Sequence, residues 1–414
     1  MTQPLPPHKQ HVLEGLVFVT VFLDLVGFGI VIPLLPFYVQ SMGGTSRTVG
    51  VLLGCFSFTQ VLATPLLGRL SDRHGRKPII LLSLFANAAA MGLFSLASHE
   101  RALALLFTSR ILAGATSGNL STCQAALADA TPPKDRARAM GRMGAGIGLG
   151  LVLGPLIGGW LAKGGAWLPP LAAGALALLG ALSVLAALPE THPAESRTAQ
   201  GRRERWPRLP EERKRALGLM LALYFLVFLA MTTMQVALGL LAQARVGWGS
   251  SEVGYAFALV GGLGLVIQGA LIGPLAKALG EVRLLVTGAL VYAGGMLGIS
   301  VAGHSATLMG AVALLGIGMG LIQPLLSSLA SQVAGAERQG AILGLAQSSG
   351  GLARTVGPLA SGYLYAGLGP GAPFLGASGV AVVAAMLGVL IGREGVGHPR
   401  QKKTRAAPEA PGPG

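Results

Sequence analysis

The chain has 414 residues, of which 52% are apolar and only 11% charged, and its mean hydropathy is +0.64. A soluble domain carries about 25% charged residues, and no single core could hide this much apolar surface, whereas lipid accepts it directly. The composition excludes a soluble globular fold, and the net charge of +15 follows from loops of one sign, so it does not point to nucleic acid as a partner.

Twelve apolar runs of spanning length succeed one another, at about 12–39, 47–67, 77–97, 101–128, 140–162, 168–188, 216–243, 251–276, 282–302, 306–332, 339–366 and 371–392. Each can cross a hydrocarbon core of about 30 Å at about 1.5 Å per residue. The runs are continuous rather than alternating, which argues against a β-barrel. Helices satisfy their own backbone groups in lipid, so the predicted fold is all-α integral membrane, with twelve transmembrane helices. The 63 glycines suit close helix packing in a membrane. Cys55 and Cys123 fall inside apolar runs and read as packing residues, with no metal spacing and little case for a disulfide. The N-terminal run is too long, and its flank too weakly basic, for a cleaved signal.

In the first run, Asp24 is the one carboxylate deep within a span. A charged Asp there costs about 2.5–3.5 kcal/mol on insertion scales, so it needs a partner or a role. Burial favours the neutral acid and a nearby cation favours the anion; a carboxylate balanced between them can hold a proton in one state and release it in another. A structural, hydrogen-bonded Asp is the alternative. Helical spacing puts Thr20, Phe28 and Val31 on the same face.

Between the second and third runs, Gly68-Arg-Leu-Ser-Asp72-Arg73-His-Gly75-Arg76-Lys77 packs four cations and a carboxylate into ten residues. A short charged loop at the membrane boundary is expected here. Asp72 can pair with Arg73 or Arg76, or cap the start of the eleventh span near Gln339. Gly68 and Gly75 permit tight helix ends, and a purely topogenic loop is the alternative.

In the fourth run, Arg110, Gly114, Ser117, Ser121 and Gln124 fall within about 80° of arc at roughly 100° per residue. Such a polar stripe should face a hydrated hollow. Arg110 cannot carry a proton itself, but its field can tune Asp24 or hold an anion; hydrogen bonding to neighbouring backbone is the alternative. Asn119 projects to the other side and reads as a packing contact. In the fifth run, Gly150, Gly154, Pro155, Gly158 and Gly159 form a packing and bending element, or a plain kink.

The connector at about 189–215 carries Arg202, Arg203, Arg205, Arg208, Arg213, Lys214 and Arg215 among Glu204, Glu211 and Glu212. It reads as a solvated linker, with lipid binding as the alternative. The organisation expected is an N-terminal six-helix bundle at 1–188, a linker at 189–215, a C-terminal six-helix bundle at 216–392 and a basic, disordered tail at 393–414. The bundles are related. Gly141, Gly154, Pro155 and Gly159 recur as Gly344, Gly357, Pro358 and Gly362, and Gly68, Leu70 and Gly75 recur as Gly273, Leu275 and Gly280. Duplicated halves place a substrate site between them, near mid-membrane. Tyr224, Phe228, Met231 and Gln235 share a face of the seventh span, and the tenth offers Gln323, Pro324 and Ser327. These are weak candidates for cargo contacts, since such stripes are usually packing. Arg354 is a second intramembrane cation without an evident acid.

Of the 31 Lys and Arg, 25 lie in the termini and even-numbered connectors, while the odd-numbered connectors hold only Arg47, Arg101, Lys163 and Arg245. The positive side is cytoplasmic, which places both termini in the cytoplasm of a multi-pass protein of the cell inner (plasma) membrane. There is no Walker A loop, metal-ligand cluster or nucleophile–base arrangement, so neither catalysis nor ATP drive is expected.

With these pieces assembled, the sequence resembles the major facilitator superfamily, and within it the drug:proton antiporter branch that includes the tetracycline efflux proteins. The segment 68–77 is similar to the family's signature between spans 2 and 3. Leu23-Asp24-Leu-Val-Gly27-Phe-Gly29-Ile-Val-Ile-Pro33-Leu-Leu-Pro36 is similar to the first span of tetracycline-type exporters. Ser109-Arg110-Ile-Leu-Ala-Gly114 resembles the fourth-span arginine motif, and Gly150-Leu-Val-Leu-Gly154-Pro155-Leu-Ile-Gly158-Gly159 the fifth-span antiporter motif. The resemblance implies two pseudo-symmetric six-helix bundles, a cytoplasmic gate held partly by Asp72, and export of small amphipathic compounds driven by a proton gradient, with no cofactor, in a monomer surrounded by lipid. Ala90 and Tyr292 stand where tetracycline exporters carry carboxylates, which argues against tetracycline itself as the substrate. A facilitator or symporter for a sugar or organic acid is the first alternative, and a non-transporting receptor or lipid-handling protein the second.

Overall fold

In a computed structural model, described for residues 7–132, 135–191, 211–334, 339–394 and 396, the chain forms helices α1 (Pro7–Val31), α2 (Leu35–Ser41), α3 (Ser46–His74), α4 (Arg76–Glu100), α5 (Leu103–Ala115), α6 (Asn119–Ala130), α7 (Arg136–Leu161) and α8 (Leu168–Ala187). The second half holds α9 (Glu211–Val246), α10 (Ser250–Val266), α11 (Ile272–Leu279), α12 (Glu281–Val301), α13 (Ser305–Ala334), α14 (Gln339–Leu368) and α15 (Ala372–Arg393). Ten spans are long and apolar enough to cross a membrane on their own. The eleventh is α14, and the fourth is the broken pair α5–α6, which gives twelve crossings in two bundles. Most of the predicted linker, and the tail beyond 396, lie outside the described residues.

Several boundaries differ from the sequence expectation. The signature after the second span is not a loop: α3 stays helical through His74, and only Gly75 leaves the helix, at φ 104°. Nothing between Gly68 and His74 breaks a helix, and the charged turns simply extend past the apolar run. Gly280 repeats the device at φ 80° between α11 and α12. The fourth span breaks at Thr116–Gly118. There the Thr116 hydroxyl donates back to Leu112 O at 2.9 Å and the Ser117 hydroxyl to Ala113 O at 2.7 Å, bonds that bend helices. The eighth span passes through a π turn at Ile267–Leu271.

Within each half, helices pack at glycines. A Cβ on Gly154 of α7 would lie 2.7 Å from both Gly29 Cα and Val26 O of α1, so the two backbones touch. Gly150 and Gly158 meet Leu25 and Ile30 of α1 on the same face. The halves meet along two seams, α3 with α14 and α7 with α10. Their contacts gather at the end away from the termini. The Ser46 hydroxyl donates to Gly362 O at 3.2 Å, the Ser251 hydroxyl donates to Gly159 O at 2.9 Å, and Arg47 lies 5.4 Å from the Tyr363 ring centre. Toward the termini, Gly141 and Gly144 of α7 and Gly344 of α14 have open space where a side chain would stand.

Candidate functional site

A cavity of about 190 Å³ opens inside the N-terminal bundle, and Asp24 and Arg110 both line it, together with Phe28, Val31, Phe56, Gln60, Ser83, Asn87, Met91, Ser117 and Asn119. All of its lining residues belong to 23–177. This hollow lies within one bundle rather than between the halves, because Asp24 faces α4 and α6 and not the seam.

Asp24 accepts from two amides. Asn87 Nδ2 of α4 donates to Oδ1 at 3.3 Å, and Asn119 Nδ2 of α6 donates to Oδ2 at 3.4 Å. Among the described residues no cation comes within 4.0 Å of the carboxylate. The reading of Asn119 as a packing residue on the far side is corrected here. It assumed one unbroken helix from Arg110 onward, and the break at Thr116–Gly118 resets the rotation. The same reset leaves Gln124 exposed and outside the cavity lining, while the Ser121 hydroxyl turns to Gly118 O at 3.0 Å. The sequence signal for Asn87 is a lone amide in the apolar run 77–97. Beyond Asn119, Cys123 Sγ donates to Asn119 Oδ1 at 3.3 Å, which fixes the amide. Thr20 does not join the cavity; its hydroxyl donates to Leu16 O.

Arg110 is 3% exposed. Its guanidinium lies 4.6 Å from the Phe94 ring centre, with Nη2 3.4 Å from Met91 Sδ and Nε 3.4 Å from Ser109 Oγ. Among the described residues no carboxylate lies within 4.0 Å of it, so beyond an aromatic face and weak acceptors its fork can still bind water or cargo. The wall thus presents one acid and one fixed cation that do not neutralise each other by contact. Such a carboxylate can take up a proton and lose its charge, or hold the anion on two amide donors.

At the terminal end, Arg76 is the hub. Its Nη1 donates to Asp72 Oδ1 at 2.6 Å and to Ser71 Oγ at 2.7 Å, and its Nε to Asp129 Oδ2 at 3.0 Å. Glu190 caps the start of α4 by accepting from the backbone N–H groups of Arg76 (2.9 Å) and Lys77 (3.2 Å), as suits a carboxylate at a helix N-terminus. Lys77 Nζ donates to Leu185 O, and Arg73 is exposed. Of the partners open to Asp72, Arg76 is the one it takes; the side chain of Gln339 lies outside the described residues. Gly68 has open space around it, and Gly75 supplies the turn.

The fifth-span motif divides its labour. Gly150, Gly154, Gly158 and the Pro155 ring face α1 within their own bundle, whereas the Pro155 carbonyl and Gly159 face Gly254 and Ser251 of α10 across the seam. In the C-terminal half, Gly357 meets Leu229 and Thr232 of α9, and Pro358 and Gly362 meet Gly50 and Ser46 of α3.

The stripe of the seventh span lies away from the cavity. Tyr224 is buried and stacks on Phe228 with ring centres 6.1 Å apart. Met231 Sδ lies 3.9 Å from Gln323 Nε2, and Gln235 is half-buried. Ala90 is fully buried, and the hydroxyl of Tyr292 donates to Ala230 O at 3.3 Å, so both positions serve packing. 

Twin six-span bundles joined by backbone-to-backbone glycine contacts, with a hollow inside the first that holds an acid and a cation, are the build of a membrane transporter. The chain belongs to the major facilitator superfamily, whose family model matches residues 17–271 and 220–413. Within it, the chain groups with the drug:proton antiporter branch. It is 31% identical over 357 residues to "Tetracycline resistance protein, class H" of Pasteurella multocida, covering 83% of this chain and 86% of that one. It is 27% identical over 388 residues to "Multidrug resistance protein 2" of Bacillus subtilis, covering 91% and 94%. Among solved structures, that of the human organic anion transporter MFSD10 (TETRAN) superposes with a TM-score of 0.69 at 26% identity, covering 93% of this chain and 100% of that one. A bacterial homologue of the human lysosomal transporter Spinster, in an inward-facing and occupied conformation, gives 0.75 at 15% identity, covering 94% and 98%.

Proposed function

We propose that this protein is a proton-coupled secondary transporter that exports small amphipathic compounds by alternating access. The observation that carries the reading is Asp24: a carboxylate held by two amides, with no cation within 4.0 Å among the described residues, in the wall of a cavity inside the first bundle. Relatives named for tetracycline and multidrug resistance support drug-like cargo. In this reading the positive side and both termini are cytoplasmic at an inner membrane, and the seam contacts at the opposite end support an inward-open state. Asp24 takes a proton from outside, the halves rock about the α3–α14 and α7–α10 seams, and the proton leaves inside as cargo binds. Each net charge moving inward contributes about 2.3 kcal/mol per 100 mV. The protein works as a monomer in lipid and draws its energy from the proton gradient, without a cofactor.

The test is cargo accumulation in inverted membrane vesicles. The Asp24→Asn protein is expected to lose uphill, proton-driven uptake while still binding cargo. Uphill pumping by that variant at the wild-type rate would refute the assignment.

A further inference from the structure

Arg354 sits halfway along α14, and among the described residues it has no carboxylate within 4.0 Å and no hydrogen-bond acceptor. Among the described residues its charge meets an aromatic face: the guanidinium carbon lies 4.8 Å from the centre of the Phe228 ring. A Cβ built on Gly351, one turn earlier, would lie 3.8 Å from Arg354 Nη2 and 2.8 Å from Val61 of α3. The guanidinium therefore stands at the seam between the bundles, where cargo must pass. An aromatic face supplies about 0.5–2 kcal/mol to a cation, yet leaves all five N–H donors of the fork unmatched. The fork is half-buried and none of its nitrogens is a buried atom lacking a partner, so its donors stay open to a ligand, and a planar anion is the group that would match them in a bidentate manner.

We infer that Arg354 is a cargo-docking site that selects compounds carrying a carboxylate or similar planar anion on an aromatic or aliphatic body. Phe228 holds the fork in place from behind, and Tyr224 in turn braces Phe228. The site is distinct from the Asp24 cavity, none of whose lining residues lies beyond Ala177. It rests on the transporter reading, and it adds a charge requirement on the cargo.

A matched trio of probes tests it: 1-naphthylacetate, 1-naphthylmethylammonium and 1-naphthylmethanol, titrated against the purified full-length chain by thermal shift and calorimetry. The wild type is expected to bind the anion at least tenfold more tightly than the other two. Arg354→Met should abolish that preference while leaving the weaker binding of the cation and alcohol unchanged, and Arg354→Lys should keep only part of it, since a point charge replaces the fork. If the methionine variant does not fold, the partial loss in Arg354→Lys decides. No anion preference in the wild type, a preference surviving in Arg354→Met, or equal loss of all three probes would each overturn the inference. Proton-driven uptake in inverted vesicles is measured alongside. If no probe is pumped while the anion preference depends on Arg354, the transporter reading fails and the docking site stands.

Discussion

Asn119 Nδ2 donates to Asp24 Oδ2 across 95 positions of sequence, joining the broken fourth span to the first at the wall of the cavity. Thr116, Ser117 and Gly118 make that bond possible by letting α6 start with a rotation that α5 would not have given it.

If Asn119 acts through Asp24, the two should not behave additively. Asn119→Ala is expected to slow proton-driven uptake about 5–30-fold, while adding it to Asp24→Asn costs nothing further in the downhill cargo exchange that the Asp24→Asn protein keeps. Neighbouring groups of this kind couple by about 0.5–3 kcal/mol. Initial rates in inverted vesicles for the four proteins of the cycle check this; simple additivity would place Asn119 outside the coupling site.

The Arg76 hub makes a stability prediction. Arg76→Ala strands Asp129 and Asp72 at once. Breaking a buried ion pair costs about 3–5 kcal/mol, and the half-exposed Asp72 pulls the expectation down to about 2–4 kcal/mol. Asp72→Asn should cost about 1 kcal/mol or less. Apparent Tm in detergent should fall clearly for the first and little for the second.

Glycines in α7 should divide by what they touch. Gly154→Ala drives a methyl into the backbone of α1 and is expected to reduce folded yield severely. Gly144→Ala meets nothing within 4 Å and replaces a poor helix former, so it should be neutral or stabilise by up to about 1 kcal/mol. Size-exclusion yield and thermal unfolding of the pair separate the outcomes.

Accessibility should differ along the seam. In a background lacking Cys55 and Cys123, Gly344→Cys is expected to react with a membrane-impermeant maleimide in vesicles whose terminal side faces out. Gly54→Cys, which packs against Thr355 and Leu359, should be at least tenfold slower. Equal rates would mean that the halves do not part toward the termini in the resting protein.

Each span, the duplication and the charge asymmetry were legible in the sequence because they depend on local composition: about 20 apolar residues cross a bilayer whatever their neighbours. Asp24 and Arg110 were legible for the same reason, since a charge within an apolar run stands out without any knowledge of contacts. The glycine motif was legible as close packing, but not in its division between α1 and α10, because both faces read alike in one dimension.

The sequence by itself settled what sits in lipid and which residues are too polar to be there without cause. Only the tertiary structure decided who meets whom: Asn87 and Asn119 on Asp24, Arg76 between Asp72 and Asp129, and Arg354 over Phe228 at the seam. The physical reason is rotation. Hydropathy survives a break in a helix, whereas the direction of a side chain does not, and three residues at 116–118 were enough to turn a supposed packing amide toward Asp24.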